Sequence, residues 1–242
     1  MIFVIRSRWG LRLALLAAAA LITLGTTGLG LVVTTWHADG PVGRVPGVSG
    51  AVALTFDDGP DPRNTPAILD ILAKYGAHAT FFSVGKEVEN FPDITRRAVA
   101  EGHEIGSHSY SHARLTTLSV DRFAEELDRS EEAVMKAGGR KPVCFRPPYG
   151  ALTPGAMKIL AERGYYVVLW VCESNDWVRI SEAQIVSRVL TNVRPGAIVL
   201  MHDGGGPRPR TVGALPKIIE GLLEQGYRCV TVSELIKLAE ER

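Results

Sequence analysis

The residues of this chain that could carry out chemistry stand in short polar segments that directly follow apolar runs. The first such segment holds two adjacent carboxylates, Asp57 and Asp58, followed by Gly59 and Pro60. Neighbouring carboxylates repel each other unless a cation or a proton offsets their charge. An ordinary turn is the alternative interpretation, because Asp, Gly and Pro are also turn residues. The pair by itself leaves a cation site and a turn equally open.

Two histidines, His108 and His112, follow the third apolar run. Residues four apart lie on one face of a helical turn, with Cβ atoms about 5–6 Å apart. We therefore expect a helical turn here that points both imidazoles at one metal ion. Two histidines and one carboxylate, with a position left for water, form a catalytic type of metal site. A chance surface pair is the alternative for the histidines alone, but the carboxylates at another strand end favour the metal site. His78 and His103 stand outside this pattern.

Two further polar segments could position a substrate. In the segment FRPPYG, Arg146 could orient a carboxylate through a bidentate pair, and the backbone N–H groups after the stiff prolines could face an oxyanion. A plain rigid loop is the alternative interpretation. In the segment ESNDW, Trp177 offers a flat apolar face to a sugar ring beside Glu173 and Asp176. An ordinary packed tryptophan is the alternative there.

The last polar segment places His202 at the end of an apolar run. Imidazole titrates near neutral pH, so His202 is a natural general acid. We expect Leu200 to pack under the floor of the site, and the glycines 204–206 to leave room for a substrate. The segment 207–210, with sequence PRPR, is interpreted as a solvated loop, and a contact with an anionic polymer is the alternative.

The elements that must position these residues alternate between strand and helix. Seven short apolar runs have strand length: 51–56, 79–84, 104–106, 143–145, 166–171, 197–201 and 228–232. Helical patterns lie between or after them: 65–75, 92–101, 120–137, 154–163, 181–192, 211–225 and 233–241. This alternation predicts an α/β fold with a parallel sheet or barrel. In such folds the chemistry gathers at the carboxyl ends of the strands, where the polar segments stand.

The N-terminal residues 1–36 are predicted to lie outside this fold. They contain three arginines and no acidic residue, and an apolar run of 21 residues covers 13–33. As a helix this run reaches about 31 Å, close to the thickness of a hydrocarbon core. Basic residues precede it, so we expect a single-pass membrane anchor with the rest of the chain on the extracytoplasmic side. A cleaved signal peptide and a secreted protein form the alternative.

Composition limits the remaining possibilities. The whole chain has a net charge of +1, and without residues 1–36 the remaining 24 basic and 26 acidic residues give −2. This balance excludes a typical nucleic-acid binder, which has a basic excess.

Residues 37–50 are rich in Gly and Pro and are predicted to be a linker to a domain over 51–242. The chain has three cysteines, Cys144, Cys172 and Cys229. Because this number is odd, at least one thiol is free within one chain. Buried free thiols are favoured over a disulfide between Cys144 and Cys172.

The five segments TFDDGP, HSYSH, FRPPYG, ESNDW and LMH, in this order, resemble the motifs of the NodB-homology polysaccharide deacetylases, carbohydrate esterase family 4. The resemblance covers roughly residues 51–232. It implies a distorted (β/α)7 barrel, which agrees with the seven apolar runs. It also implies metal-dependent removal of acetyl groups from polysaccharides, usually the N-acetyl groups of glucosamine units.

The resemblance also implies a role for each matching residue. Asp57 matches the catalytic base, Arg146 the arginine that supports it, and His202 the acid. Asp58, His108 and His112 match the metal ligands. The backbone N–H of Tyr149 matches an oxyanion donor, and Tyr149, Trp177 and Leu200 are expected to contact substrate, while Asp176 belongs to the fourth motif. That motif usually opens with Asp, and Glu173 stands there instead, where it could pair with Arg146 or tune His202.

The expected metal is zinc, although such a site also accepts cobalt, manganese or nickel. The expected partner is an acetylated polysaccharide. Peptidoglycan N-acetylglucosamine is favoured and chitin oligomers come next, because an anchored, outward-facing enzyme meets the cell wall. An O-acetyl xylan esterase of the same chemistry and a catalytically silent carbohydrate-binding protein are the alternatives, and the oligomeric state is not predicted.

Overall fold

Eight parallel strands form the central sheet. The computed structural model of the chain describes residues 40–241. Its strands are β1 (Ala51–Asp57), β2 (Ala79–Ser83), β3 (Glu104–Ser107), β4 (Cys144–Phe145), β5 (Tyr166–Val167), β6 (Cys172–Glu173), β7 (Ile198–His202) and β8 (Arg228–Cys229). The order across the sheet is β5-β4-β3-β2-β1-β7-β6, and β8 pairs with β1. All of these pairings are parallel, which confirms the predicted α/β class.

The predicted strand 166–171 is a strand only over 166–167, as β5, and a separate strand, β6, follows at 172–173, so the sheet has eight strands and not the expected seven. Strand β5 pairs with β4 at one edge of the sheet, whereas β6 pairs with β7 at the other edge. Between them, the carbonyl oxygens of Val168 and Leu169 accept hydrogen bonds from the buried Arg146 guanidinium. These carbonyls are therefore not free for a neighbouring strand. Residues 166–173 thus connect the two edges of a half-barrel, and no ladder joins β5 to β6.

A strap formed by residues 40–50 crosses the same gap. Val42 donates its N–H to Val167 O at 2.8 Å and accepts from Leu169 N at 2.9 Å, while Val45 N donates to Gly196 O at 2.8 Å. Val42, Val45 and Val48 are buried. Gly196 has a φ of 74° here, and a Cβ at this position would lie 2.1 Å from Val45 O. From residue 40 on, the segment predicted as a linker is thus packed against the sheet edges.

Helices surround the sheet where the sequence pattern predicts them. They are α1 (Thr65–Tyr75), α2 (Gly85–Asn90), α3 (Pro92–Ala100), α4 (Val120–Lys136), α5 (Pro154–Glu162), α6 (Glu182–Asn192), α7 (Pro209–Glu224) and α8 (Val232–Glu240). Ser181 caps α6 with a complete capping box, as its position before Glu182 suggests. The six-residue α2 was not predicted, because it is too short to show a helical period.

The two faces of β1 pack against different apolar clusters, and the strand ends in a charged residue. Residues of alternating parity on a strand point to opposite faces. Val52, Leu54 and Phe56 belong to the apolar cluster shared with helices such as α1 and α7. On the other face, Ala51 and Ala53 join a second apolar cluster with the strap and α8. Asp57, further along that face, ends the strand as a buried charge.

The three cysteines are free and buried, as favoured from the sequence, so the alternative disulfide between Cys144 and Cys172 is not formed.

Within residues 40–241, no helix has the length and apolar character needed to cross a membrane. The anchor predicted within 1–36 lies outside the described residues, as do residues 37–39 of the predicted linker.

Candidate active site and metal centre

The polar segments that follow the strands meet in one cleft of about 450 Å³. Every residue predicted to bind metal, substrate or a proton contributes to its wall or to the layer behind it. The wall consists of Asp57, Asp58, His108, His112, Pro147, Tyr149, Trp170, Glu173, Trp177, Leu200, His202 and Arg208. Asp58 and His112 also border a second depression of about 560 Å³. The second depression therefore adjoins the cleft at these two residues.

Asp58, His108 and His112 form a candidate metal centre. Their ligand atoms all lie within 4.8 Å of one another. His112 Nε2 lies 3.1 Å and His108 Nε2 3.5 Å from the same oxygen, Asp58 Oδ1. Burial raises the pKa of Asp58, but the hydrogen bonds from both histidines outweigh burial and hold that pKa well below its ordinary value. Among the described residues this is the one group of three or more His, Cys, Asp or Glu with this spacing.

The tautomer of His108 fits metal binding. Its Nδ1 donates to the carbonyl oxygen of Arg146 at 2.7 Å. A carbonyl oxygen only accepts, so Nδ1 carries a proton, and loss of the proton on Nε2 would leave a lone pair on the Asp58 side of the ring for a metal ion. Two neutral imidazole nitrogens and one carboxylate oxygen, with one side open to the cleft, are the donor set of a catalytic divalent-metal site. The residues present therefore fit such an ion.

The backbone that brings the two histidines together is a loop, so the predicted helical turn is wrong. Ser109 and His112 have left-handed φ values of 62° and 57°. Glu126 on α4 holds this loop, since its carboxylate accepts hydrogen bonds from the N–H groups of Tyr110 and Ser111 at 3.0 and 2.8 Å. These contacts come from a distant helix, and they cannot be seen in the spacing of the histidines.

Asp57 is held by a buried arginine. Arg146 donates to Asp57 Oδ1 at 2.6 Å and to the Thr55 hydroxyl at 2.8 Å, and its side chain is fully buried. Its guanidinium also lies over the ring of Phe82, 4.0 Å from the centroid. The other Asp57 oxygen, Oδ2, lies 3.8 Å from His108 Nε2. Asp57 therefore keeps one oxygen beside the metal centre while the other is fixed.

His202 is oriented by Asp176. Its Nδ1 lies 2.8 Å from Asp176 Oδ1, and its backbone N–H donates to Asp176 Oδ2, also at 2.8 Å. Burial lowers the pKa of His202, but the hydrogen bond and charge of Asp176 outweigh burial and leave that pKa above its ordinary value. The Thr211 hydroxyl on α7 donates to Asp176 Oδ2 at 2.8 Å. Sequence reasoning missed Thr211, because no local pattern links it to the fourth motif.

The substrate-facing residues differ in exposure. Tyr149 and Trp177 are 61% and 56% exposed, whereas Leu200 is 4% exposed and forms part of the floor. Tyr149 has a left-handed φ of 61°, and its backbone N–H donates to no acceptor among residues 40–241. Trp177 Nε1 donates to Glu173 Oε1 at 3.1 Å. The suggested pairing of Glu173 with Arg146 is therefore not formed, and Asp176 rather than Glu173 contacts His202.

Asp203 is a buried acid that the sequence reasoning did not single out. It is 1% exposed, and its Oδ2 accepts from the Thr65 hydroxyl at 2.6 Å. Burial raises the pKa of Asp203 to about 7. A Cβ on Gly59 would lie 2.1 Å from its Oδ2, so this carboxyl fits directly against the loop that carries Asp58. Its position after His202 at a strand end is the signal that could have revealed it.

The other two histidines do not belong to the site. His103 Nδ1 accepts from Ala79 N at 3.2 Å, and burial lowers the pKa of His103 to about 4. His78 packs against it edge to face, with ring centroids 5.9 Å apart.

Three comparisons place this geometry among known proteins. A family model described as polysaccharide deacetylase matches residues 45–168. A peptidoglycan-N-acetylglucosamine deacetylase of Bacillus cereus is 41% identical over 196 residues, which are 80% of this chain and 92% of the relative.

Two solved structures have a similar fold. The crystal structure of a peptidoglycan N-acetylglucosamine deacetylase matches with a TM-score of 0.76 and 38% identity, covering 80% of this chain and 91% of the other. A CE4 family pseudoenzyme from Bacillus anthracis matches with a TM-score of 0.75 and 32% identity, covering 81% and 69%.

Proposed function

Because this chain belongs to the polysaccharide deacetylase family and is a polysaccharide N-deacetylase, we propose that it removes the N-acetyl groups of glucosamine units in peptidoglycan. The observation that carries the chemistry is the placement of Asp57 and His202, each held by a buried partner, on the cleft that contains the Asp58, His108 and His112 cluster. The substrate follows from the likeness to the Bacillus cereus relative over most of both chains.

The metal in this proposal is zinc, held by Asp58, His108 and His112. A bound divalent ion supplies Lewis-acid chemistry, which activates water near neutral pH and polarises an acetamide carbonyl. Two histidines with one carboxylate suit zinc, and the same donors accept cobalt, manganese or nickel. The hydrogen bond from His108 Nδ1 to Arg146 O fixes the ring so that Nε2 remains a ligand.

Asp57 is the base. Its Oδ1 is fixed by Arg146, so Oδ2 is the oxygen that accepts a proton from the attacking water. Arg146 therefore positions the base and does not itself exchange a proton.

His202 is the acid. Because Asp176 occupies its Nδ1, the imidazole presents Nε2–H to the cleft and donates that proton to the leaving nitrogen as the C–N bond breaks. An amine is a poor leaving group unless protonated, so this transfer is required for acetate and a free amino sugar to form. The raised pKa of His202, caused by Asp176, keeps the imidazole protonated to a higher pH than an ordinary histidine.

The remaining predicted residues bind and orient the sugar. The unpaired N–H of Tyr149 is available to the oxyanion that forms on the acetyl carbonyl. Trp177, more than half exposed and fixed by Glu173, provides a flat wall for a pyranose ring, and Leu200 supplies the apolar floor.

We further propose that residues 1–36 anchor the chain in the cell membrane with residues 51–242 outside the cytoplasm. The support is the apolar run 13–33 preceded by arginines. Secretion after cleavage of the same segment is the alternative, and N-terminal sequencing of the mature protein distinguishes the two.

The experiment that tests this function is acetate release by the purified full chain. Peptidoglycan, chitin oligomers and acetylated xylan are each supplied with zinc and, separately, with a chelator. We expect release from peptidoglycan that zinc restores and the chelator abolishes. Release from xylan alone would overturn the proposed substrate, and stoichiometric zinc without any release would indicate a catalytically silent binding protein.

A further inference from the structure

A basic groove continues from the active-site cleft. It has a volume of about 380 Å³, and three arginines, Arg179, Arg208 and Arg210, contribute to its wall. Trp177 and Arg208 line both this groove and the cleft that holds His202. A polysaccharide that places one sugar against Trp177 therefore directs its neighbouring sugar into the groove. The segment 207–210, interpreted from sequence as a solvated loop, forms one side of it.

The positive charge of this groove is not neutralised by acids in its wall. Among residues 40–241, none of the three arginines forms a salt bridge with a carboxylate, and Arg208 donates to the backbone oxygens of Gly204 and Gly205. The acid that borders the groove, Asp176, is buried and already accepts from His202 and Thr211.

The adjoining helix adds to this positive potential. Helix α7 starts at Pro209 and carries no acidic residue in its first turn. The N-terminus of a helix is positive because its first N–H groups are unpaired. Arginine combines charge with a planar fork that matches a carboxylate through two parallel hydrogen bonds. The groove therefore has the chemistry of a carboxylate site.

We infer that this groove, defined by Arg179, Arg208 and Arg210, binds the carboxylate-bearing substituent of the sugar next to the one that is deacetylated. The inference rests on the proposed function and refines it. In peptidoglycan, every second sugar carries a lactyl group that ends in a carboxylate or in an acidic peptide, whereas chitin carries no acid. The groove thus selects peptidoglycan over neutral polymers that share the same acetamide.

The test uses the full chain with both Arg179 and Arg210 replaced by glutamine (R179Q/R210Q). Arg208 is left in place because it lines the catalytic cleft. The substrates are a peptidoglycan oligosaccharide with free carboxylates, the same oligosaccharide with its carboxylates amidated, and a chitin oligomer of equal length. The exposed Arg188 on α6, replaced by glutamine, is the matched control for the loss of a surface arginine.

We expect the double variant to lose roughly three- to tenfold in kcat/KM on the carboxylate substrate, mainly through a higher KM. This is the loss of affinity that removing two solvent-exposed ion pairs typically causes. Its activity on the amidated and chitin substrates should match wild type. Added salt should lower wild-type kcat/KM on the carboxylate substrate and have less effect on the variant. R188Q should behave as wild type throughout.

Equal loss on all three substrates, or no loss on any, would overturn the groove assignment and leave the deacetylase function standing. If wild type releases no acetate from any substrate, the proposed function fails instead. Co-sedimentation with insoluble peptidoglycan in the presence of chelator requires no turnover. Weaker sedimentation of R179Q/R210Q than of R188Q would then support the groove by itself, and equal sedimentation would contradict it.

Discussion

At the residue scale, Asp57 and Asp58 are neighbours in the chain whose carboxylates serve different partners. Asp57 is the last residue of β1 and faces Arg146, while Asp58 has a left-handed φ of 76° that turns it to the histidines. The repulsion between the two adjacent carboxylates is offset because each has its own positive or hydrogen-bonding partner. The proton acceptor and the metal ligand are thus separated by one change in backbone direction.

The first prediction separates metal binding from proton donation. Replacing Asp58 or His108 with alanine should abolish both bound metal and activity, because two of three ligands hold a catalytic ion poorly. His202→Ala should keep stoichiometric metal and lose about 10²- to 10⁴-fold in kcat, the usual contribution of a general acid. Metal analysis and acetate release measure both. Loss of metal in His202→Ala would contradict its assignment as the acid.

The second prediction concerns pH. The Asp176 carboxylate raises the pKa of His202, so the imidazole stays protonated to a higher pH than an ordinary histidine. Asp176→Asn removes that charge and should lower the pKa of His202. The alkaline limb of the kcat profile should therefore move to lower pH, with less activity above neutrality. A variant whose alkaline limb stays where it is in wild type would show that another group limits activity there.

At the element scale, no ladder joins β5 to β6. The gap between them is covered by the strap of residues 40–50, which hydrogen-bonds to the segment that follows β5. Arg146 takes the carbonyls of Val168 and Leu169, and Val42 hydrogen-bonds to the residues on both sides of Val168. The same guanidinium that fixes Asp57 thereby also fixes the break in the sheet.

The third prediction tests the strap. Val45 is fully buried, so Val45→Ala should lower the free energy of unfolding by about 2 kcal/mol through lost burial and an unfilled cavity. Val143→Ala makes the same change at a residue that is 46% exposed and should stay within about 0.5 kcal/mol of wild type. Chemical denaturation measures both. A change for Val45→Ala as small as that expected for Val143→Ala would mean that residues 40–50 do not stabilise the fold.

At the scale of the whole molecule, the site joins segments that lie far apart in the chain. The contact between Arg146 and Asp57 spans 89 residues, and that between Thr211 and Asp176 spans 35. A ligand that binds only the folded arrangement of such segments stabilises the entire domain.

The fourth prediction follows from this linkage. Zinc at one hundred times its dissociation constant should stabilise the native chain by about 2.7 kcal/mol. For a domain of this size that corresponds to a rise in Tm of roughly 5–10 °C. Thermal unfolding with zinc and with chelator measures the shift, and Asp58→Ala is the control that should not respond. A wild-type Tm that zinc leaves unchanged would contradict the metal centre.

The amino-acid sequence by itself determined the order and type of most elements and indicated most of the candidate site residues. Parallel strands buried on both faces require continuous apolar runs, and polar residues directly after such runs must lie at one edge of the sheet. These are local signals, so the α/β class, the metal-ligand candidates and the position of His202 could be predicted from the chain alone.

Only the tertiary structure decided which partners those residues have. Glu126 holds the loop at 108–112, and Thr211 donates a hydrogen bond to Asp176. Glu173 accepts a hydrogen bond from Trp177 and does not pair with Arg146. The carbonyl of Leu169, between β5 and β6, accepts from Arg146, which follows β4. Each of these contacts joins side chains whose closeness results from packing, and packing between distant segments leaves no period or spacing in the sequence.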